Sequence, residues 1–261
     1  MKICFVGGGN IAQAIIVGLL KSKMPPEQIV CIERNQEKID LLKGQKITMA
    51  SFGCISENTF DLIVLAVKPK DAIAVAQKIE DLAPHSTILT VVAGIGISKY
   101  PTSASIIRSM PNTASAYNKG ITAIYAEDQQ TPAFKNACSL FERVGHIMVM
   151  EREDDIHSFT SIIGSGQAFL FQVLNVYLGE LKAINNGNDE HAINIFKDFV
   201  SSLGDLFAKE RDFEILINKI KSPGGTTQAG LESLESNKID FIFQDAFRAA
   251  KERSIQISDE N

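Results

Sequence analysis

In the first 150 residues, short β-branched runs alternate with stretches whose apolar side chains return every three or four positions. That alternation is how a parallel sheet with crossover helices is written. Residues 2–6, 29–33, 61–67, 87–92 and 106–109 predict strands. Between the first two, Ile11, Ile15, Ile16, Leu19 and Leu20 line one helical face, and Met24, Pro25 and Pro26 are expected to close that helix, completing a βαβ unit. Pro25, Pro26, Pro69, Pro84, Pro101, Pro111 and Pro132 fall in this half, and only Pro223 comes later, so the second half is free to be helical. There Phe171, Leu174, Leu178 and Leu181, then Ile195, Phe199, Leu203 and Phe207, recur at helical spacing. Breaks are expected at 185–189 and 221–225. The prediction is a doubly wound, mostly parallel α/β domain over 1–152 and an all-α domain over 153–261, joined at the acidic stretch 151–155.

Composition narrows the functional classes. With 261 residues, 45% of them hydrophobic and 22% charged, the chain suits two modest cores. The net charge of −5 and the absence of Lys/Arg runs interleaved with aromatics offer nothing to a phosphate backbone, so no nucleic-acid partner is expected. The apolar run at the start is too short for a signal-peptide core, and no apolar stretch is expected to reach bilayer length. Cys4, Cys31, Cys54 and Cys138 form no C-x-x-C and read as reduced, buried thiols, which suits the cytoplasm. The helical half carries more apolar side chains than it can cover alone, so a homo-oligomer, at least a dimer through that domain, is expected.

The candidate chemistry begins at Gly7, Gly8, Gly9, Asn10, Ile11 and Ala12, a G-x-G-x-x-A between the first strand and the first helix. Gly7 allows the tight turn, Gly9 lets backbone approach a pyrophosphate, and Ala12 allows close helix–strand packing. NADPH or NADH is the expected cofactor. Glu33, at the end of the second strand, suits the ribose hydroxyls of NADH, whereas Arg34 suits the 2′-phosphate of NADPH, so the choice stays open. Val67, Lys68 and Pro69, and then Ala93 and Gly94, end later strands where doubly wound sheets meet their ligands. Small apolar residues there let a nicotinamide and its ribose lie against the sheet edge; Lys68 by itself reads equally well as a solvated lysine. His85, His146, His157 and His191 lack metal-ligand spacing, so no metal is expected and they read as surface or structural.

Further motifs run along the chain: Arg108-Ser109-Met110-Pro111-Asn112-Thr113, Gly164-Ser165-Gly166, and Ser222-Pro223-Gly224-Gly225-Thr226-Thr227 followed by Ala229-Gly230-Leu231 and Leu234-Glu235. With the glycine loop and Val67-Lys68-Pro69 they resemble the pyrroline-5-carboxylate reductase family, in order and over the whole chain. The resemblance implies an N-terminal Rossmann domain, a C-terminal helical dimerisation domain, and an active site at the dimer interface. It implies hydride transfer from NAD(P)H to the C=N bond of 1-pyrroline-5-carboxylate, giving L-proline, the last step of proline biosynthesis. It brings Ser222, Gly224, Gly225, Thr226, Thr227, Thr160 and Glu153 to the substrate, adds Asn112 to the cofactor residues, and gives Thr227 the catalytic task of orienting or protonating the ring nitrogen; Glu210 is a further candidate. The residues of 222–227 fit such a task on their own terms. Pro223 fixes a turn, two glycines allow unusual dihedrals, and Thr226 can open a helix whose N–H groups suit a carboxylate. The plain alternative is an interhelical turn with an ordinary Thr cap.

The chain departs from the family pattern at Ala114 for a usual Pro, at His157 for Asp, and at Gln167 and Phe169, where Pro and Tyr are usual. Phe213 and Asn218 replace Pro and Asp, and Lys221 replaces a small residue. These changes keep open a related reductase for another cyclic imine or imino acid, and a non-catalytic NAD(P)-binding paralogue.

Overall fold

A computed structural model describes residues 1–100 and 105–260; Pro101 lies outside the described residues. The first strand, β1 (Ile3–Val6), is buried at all four positions, as a strand covered on both faces must be. It feeds α1 (Asn10–Lys21), then β2 (Ile29–Ile32), α2 (Gln36–Gly44), β3 (Thr48–Met49), α3 (Cys54–Glu57), β4 (Leu62–Leu65), α4 (Pro69–Leu82) and β5 (Thr87–Thr90). β6 (Ser105–Met110), β7 (Gly120–Tyr125), α5 (Pro132–Glu142) and β8 (Gly145–Val149) complete one eight-stranded sheet in the order β3-β2-β1-β4-β5-β6-β7-β8. All neighbours pair in parallel except β6 with β7. The two-residue period of β1 sends Ile3 and Phe5 to one face and Cys4 and Val6 to the other. On the first face α1 contributes Ile15, Ile16 and Leu19 and α5 contributes Phe134 and Phe141; on the second, α4 contributes Ala72, Ala76 and Ile79. Each fully buried Ile, Leu or Phe stabilises the fold by about 1.5–3 kcal/mol.

Local chemistry adjusts the expected boundaries. α1 ends at Lys21, where Ser22 caps it and Lys23 turns left-handed at φ 64, so the prolines follow the helix rather than stop it. β3, β7 and β8 were not among the expected strands. Burial pushes the Cys31 thiol up to about 12, with Glu33 adding to the effect, and raises that of Cys4 as well.

The chain divides into two compact units, Met1–Ser165 with the chain from Ala249 onward, and Gly166–Arg248. In the first, α6 (Asp155–Phe159) passes into a π-helical turn, Thr160–Ser165. The helix continues as α7 (Gly166–Ile184). The uninterrupted helical stretch Asp155–Ile184 is long and apolar enough, by length and composition, to cross a membrane. This corrects the expectation that no apolar stretch reaches that length: Gly164 lies in the π turn and Gly166 opens α7, and neither breaks the helix. The second unit continues with α8 (Asp189–Lys209), α9 (Phe213–Ile220), α10 (Thr226–Ser236) and the first part of α11 (Ile239–Glu260). The breaks at 185–189 and 221–225 fall where expected, the first because Asn188 caps α8 through its side-chain oxygen and the second because Gly224 turns at positive φ before α10. A further break between α8 and α9, where Asp212 caps α9, was not expected. Rings of Tyr177 and Phe199 stack at 6.1 Å and those of Phe207 and Phe213 at 4.6 Å. Leu170, Phe171, Val176, Leu203 and Phe241 nevertheless stay exposed in the single chain, the signature of a surface that another molecule covers.

Candidate active site

In this strand order the crossovers run one way from β1 and the other way from β4, so a crevice opens beyond the carboxyl ends of these two neighbours. Gly7 leaves β1 with φ 105, and a Cβ there would overlap the Ala66 carbonyl at the end of β4. Glycine is therefore a requirement of the fold at that position. Gly8 donates its N–H to Glu33 Oε2 at 2.7 Å, while Glu33 Oε1 accepts from the backbone N–H of Arg34 at 2.7 Å and of Asn35 at 2.9 Å. Burial alone would raise the Glu33 carboxyl, but the donors Asn35, Gly8 and Arg34, with Lys38 beyond them, outweigh it and hold its pKa below the ordinary value. Glu33 thus braces the glycine loop, a task its sequence position did not reveal. Arg34 is exposed beside it.

Gly9 differs from Gly7. It precedes α1 in an extended conformation, offers no side-chain cap, and a Cβ there would meet nothing within 4 Å. Nothing in the protein demands glycine at this point, and no side chain caps the first turn of α1, the kind of helix start that suits an anion. Asn10 is exposed, Ile11 half-buried and Ala12 fully buried. Across the crevice Val67 is half-buried, Lys68 is exposed at the N-cap of α4, and Pro69 opens that helix. Ala93 is half-buried, whereas Gly94, at φ 77, is buried: a Cβ there would overlap the Ile257 side chain of α11. Asn112 is buried, and its Oδ1 accepts the Ile121 N–H at 3.0 Å, tying the end of β6 to β7.

Glu153, half-buried, joins a polar cluster whose other members, Arg108 and His157, are buried. Its Oε1 accepts from Arg108 Nη1 at 2.8 Å and from the Ile97 N–H at 2.7 Å, and Arg108 is 2% exposed. His157 is also buried, with Nδ1 2.9 Å from Ser254 Oγ; burial, then the Arg108 charge, lowers its pKa. The sequence carried one signal of this cluster, an arginine inside an apolar strand, since such a charge needs a partner. Thr160 opens the π turn and donates its Oγ1–H to the Ile156 carbonyl at 2.7 Å. Such turns recur at functional sites, and this one contains both Thr160 and Gly164.

In the second unit, the Gly225 N–H closes a turn onto the Ser222 carbonyl at 3.0 Å. Gly224 adopts φ 67 and donates to Gln228 Oε1 at 2.9 Å. Gly225 precedes α10 without a side-chain cap, and a Cβ there would overlap Ser222 Oγ. Thr226 and Thr227 are the first two residues of α10, the former exposed and the latter half-buried. Ser222 and Pro223 are exposed, and Glu210 pairs with Lys219 at 3.2 Å. The glycine loop, Glu33 and the ends of β4 and β5 therefore assemble within the first unit, and the Ser222–Thr227 turn forms within the second.

A doubly wound sheet with an uncapped glycine loop at its switch point, followed by a helical unit with uncovered apolar faces, defines a nicotinamide-dependent oxidoreductase with a Rossmann domain. Residues 2–94 match a family profile described as NADP oxidoreductase, coenzyme F420-dependent, and residues 153–257 match pyrroline-5-carboxylate reductase dimerisation. The pyrroline-5-carboxylate reductase of Pasteurella multocida is 32% identical over 98% of this chain and 97% of its own. A pyrroline-5-carboxylate reductase structure from Coxiella burnetii superposes with a TM-score of 0.85 at 27% identity, covering 98% of each chain. A Plasmodium falciparum pyrroline carboxylate reductase with NADP bound shares the fold, with a TM-score of 0.85 at 23% identity over 99% of this chain and 98% of that one. The chain belongs to the pyrroline-5-carboxylate reductase family, whose members are NAD(P)H-dependent oxidoreductases.

Proposed function

We propose that this chain is a pyrroline-5-carboxylate reductase, reducing the C=N bond of 1-pyrroline-5-carboxylate to give L-proline. What carries the reading is a pair of uncapped helix starts, Gly9 before α1 and Gly225 before α10, in a chain akin to a reductase from end to end. When bound, NAD(P)H supplies the hydride for the imine carbon. Gly7 shapes the turn, while Gly9, Asn10, Ile11 and Ala12 receive the pyrophosphate at the N-terminus of α1. Glu33 braces the loop from below and, with Arg34, faces the adenosine ribose. Val67, Lys68, Pro69, Ala93, Gly94 and Asn112 line the remainder of the cofactor site. Ser222, Gly224, Gly225 and Thr226 receive the substrate carboxylate at the start of α10, and Thr160 is assigned to the substrate as well. The Thr227 hydroxyl hydrogen-bonds the ring nitrogen and orients it for protonation. An iminium substrate is already activated for hydride, so binding and alignment are the main tasks left to the protein. Glu153 was expected at the substrate; its oxygen is engaged by Arg108 and Ile97, and a different task for it is argued below.

The domain division is read as 1–152 for the cofactor and 153–261 for dimerisation and substrate. The exposed apolar faces of α7 and α8 pair with those of a second copy, giving at least a homodimer, which accounts for the membrane-like length of Asp155–Ile184 without a membrane. The protein is assigned to the cytoplasm, with no nucleic-acid or membrane partner.

The test is loss of nicotinamide absorbance on mixing purified protein, NADPH or NADH, and pyrroline-5-carboxylate. Oxidation with a six-membered imine but not with this one would move the substrate to another cyclic imine, and cofactor binding without turnover of any imine would refute the catalytic reading.

A further inference from the structure

We infer that Arg108 and Glu153 form a positioning pair that holds the 93–97 segment at the nicotinamide end of the cofactor site, setting cofactor affinity without touching the cofactor. The inference rests on the function proposed above and deepens it. Arg108 lies opposite Thr90, the last residue of β5, after which the chain leaves the sheet toward Ala93 and Gly94. A single oxygen, Glu153 Oε1, joins the two sides, accepting from Arg108 Nη1 at 2.8 Å and from the Ile97 N–H at 2.7 Å.

Stability alone does not account for this arrangement. A pair in which the arginine is buried and the carboxylate half-buried returns little more than its desolvation costs, and an apolar pair of the same volume serves a core as well or better. What an apolar pair cannot provide is an acceptor for the Ile97 N–H. The arginine, locked in its strand, fixes where that acceptor lies, and Glu153 passes the position on to the segment. At the other end, Thr90 Oγ1 accepts the Val92 N–H at 3.2 Å and bonds Tyr100 Oη at 2.9 Å. The segment is thus pinned on both sides by polar contacts, and Gly96 lies against the same carboxylate. Release at Ile97 leaves the segment able to drift from the position that the nicotinamide requires, a loss that appears in binding more than in the chemical step.

Two double variants of the full-length protein separate this from a structural role: Arg108→Met with Glu153→Met, and Arg108→Met with Glu153→Gln. Both remove the buried charges together, so neither leaves one unpaired. Only the second keeps an acceptor for Ile97. The expected result is a cofactor KM raised about tenfold in the Glu153→Met double and less than about threefold in the Glu153→Gln double, the difference being one part-buried hydrogen bond. In both, kcat at saturating cofactor changes by less than about threefold. The single variant Arg108→Lys keeps the charge and should retain a cofactor KM closer to wild type than Arg108→Met does, an ordering that can be read even if the Glu153→Met double fails to fold. Equal cofactor KM in the two doubles, or Arg108→Lys as impaired as Arg108→Met, would overturn the inference. If the wild type reduces no cyclic imine, the function proposed above fails instead. The same ordering is then read from nicotinamide fluorescence as cofactor Kd, and its absence there overturns the inference independently.

Discussion

Replacing Glu33 with Gln tests whether the glycine loop is braced from below. The carboxylate accepts three backbone N–H groups, from Gly8 on one oxygen and from Arg34 and Asn35 on the other. A glutamine can keep its carbonyl toward Arg34 and Asn35, but its NH2 then faces the Gly8 N–H, donor against donor. An unsatisfied, partly buried N–H costs about 1–3 kcal/mol. The two retained bonds lose their charge assistance, worth about 1 kcal/mol more. The sum, roughly 2–4 kcal/mol, lowers the melting temperature by roughly 4–16 °C in a protein of this size. Because Gly8 stands between Gly7 and Gly9, cofactor Kd should rise as well, by roughly tenfold if half of that energy reaches the loop. Differential scanning fluorimetry and a cofactor titration read both effects. The pH dependence follows from the sign of the shift. Glu33 has a lowered native pKa, so its contribution is full above the unfolded value of about 4.3 and is lost as pH falls through the native one. The difference between wild type and variant should therefore be constant at neutral pH and shrink in acid. A Glu33→Gln protein that melts within about 1 °C of wild type and binds cofactor equally well would refute the brace.

Gly9→Ala should fold with unchanged or slightly raised stability, since its Cβ meets nothing within 4 Å, yet weaken cofactor binding about tenfold or more by crowding the pyrophosphate; melting and titration together check this. Gly94→Ala should cost about 2–4 kcal/mol through its positive φ and the overlap with Ile257, and a double-mutant cycle with Ile257→Ala should recover about 1 kcal/mol or more of that. Burial and the Arg108 charge hold the His157 pKa below its ordinary value, so the folded protein binds fewer protons than the unfolded chain. Stability from this site is full above about pH 6.5 and declines as pH falls through that value. Melting temperatures between about pH 5 and 8 should slope less in His157→Asn than in wild type, and equal slopes would contradict the assignment. Thr227→Ala should lower kcat by roughly a hundredfold while leaving NAD(P)H affinity within about twofold; steady-state kinetics with a cofactor titration would expose equal losses in both.

Local pattern was enough to identify five of the eight described strands, the glycine loop and the helical second half. β1 and β4 are continuous apolar runs because each is covered on both faces, and that requirement is written residue by residue. The helix breaks at 185–189 and 221–225 were equally legible, since Asn188 and the paired glycines act within a few positions of themselves, whereas the break before Asp212 was not expected. The order of motifs along the chain pointed to the reductase family before any coordinate did. Contacts between distant positions were not legible. Glu33 reaches Gly8 across 25 residues, Arg108 reaches Glu153 across 45, Glu153 reaches Ile97 across 56, and His157 reaches Ser254 across 97. No periodicity encodes such pairings, because they depend on which strand ends the sheet order brings side by side. The motif gave Gly7 the turn and Gly9 the approach of a ligand, but only the tertiary structure supplied the physical reason: the carbonyl of Ala66 closes the space around one, and a Cβ at the other would meet nothing within 4 Å.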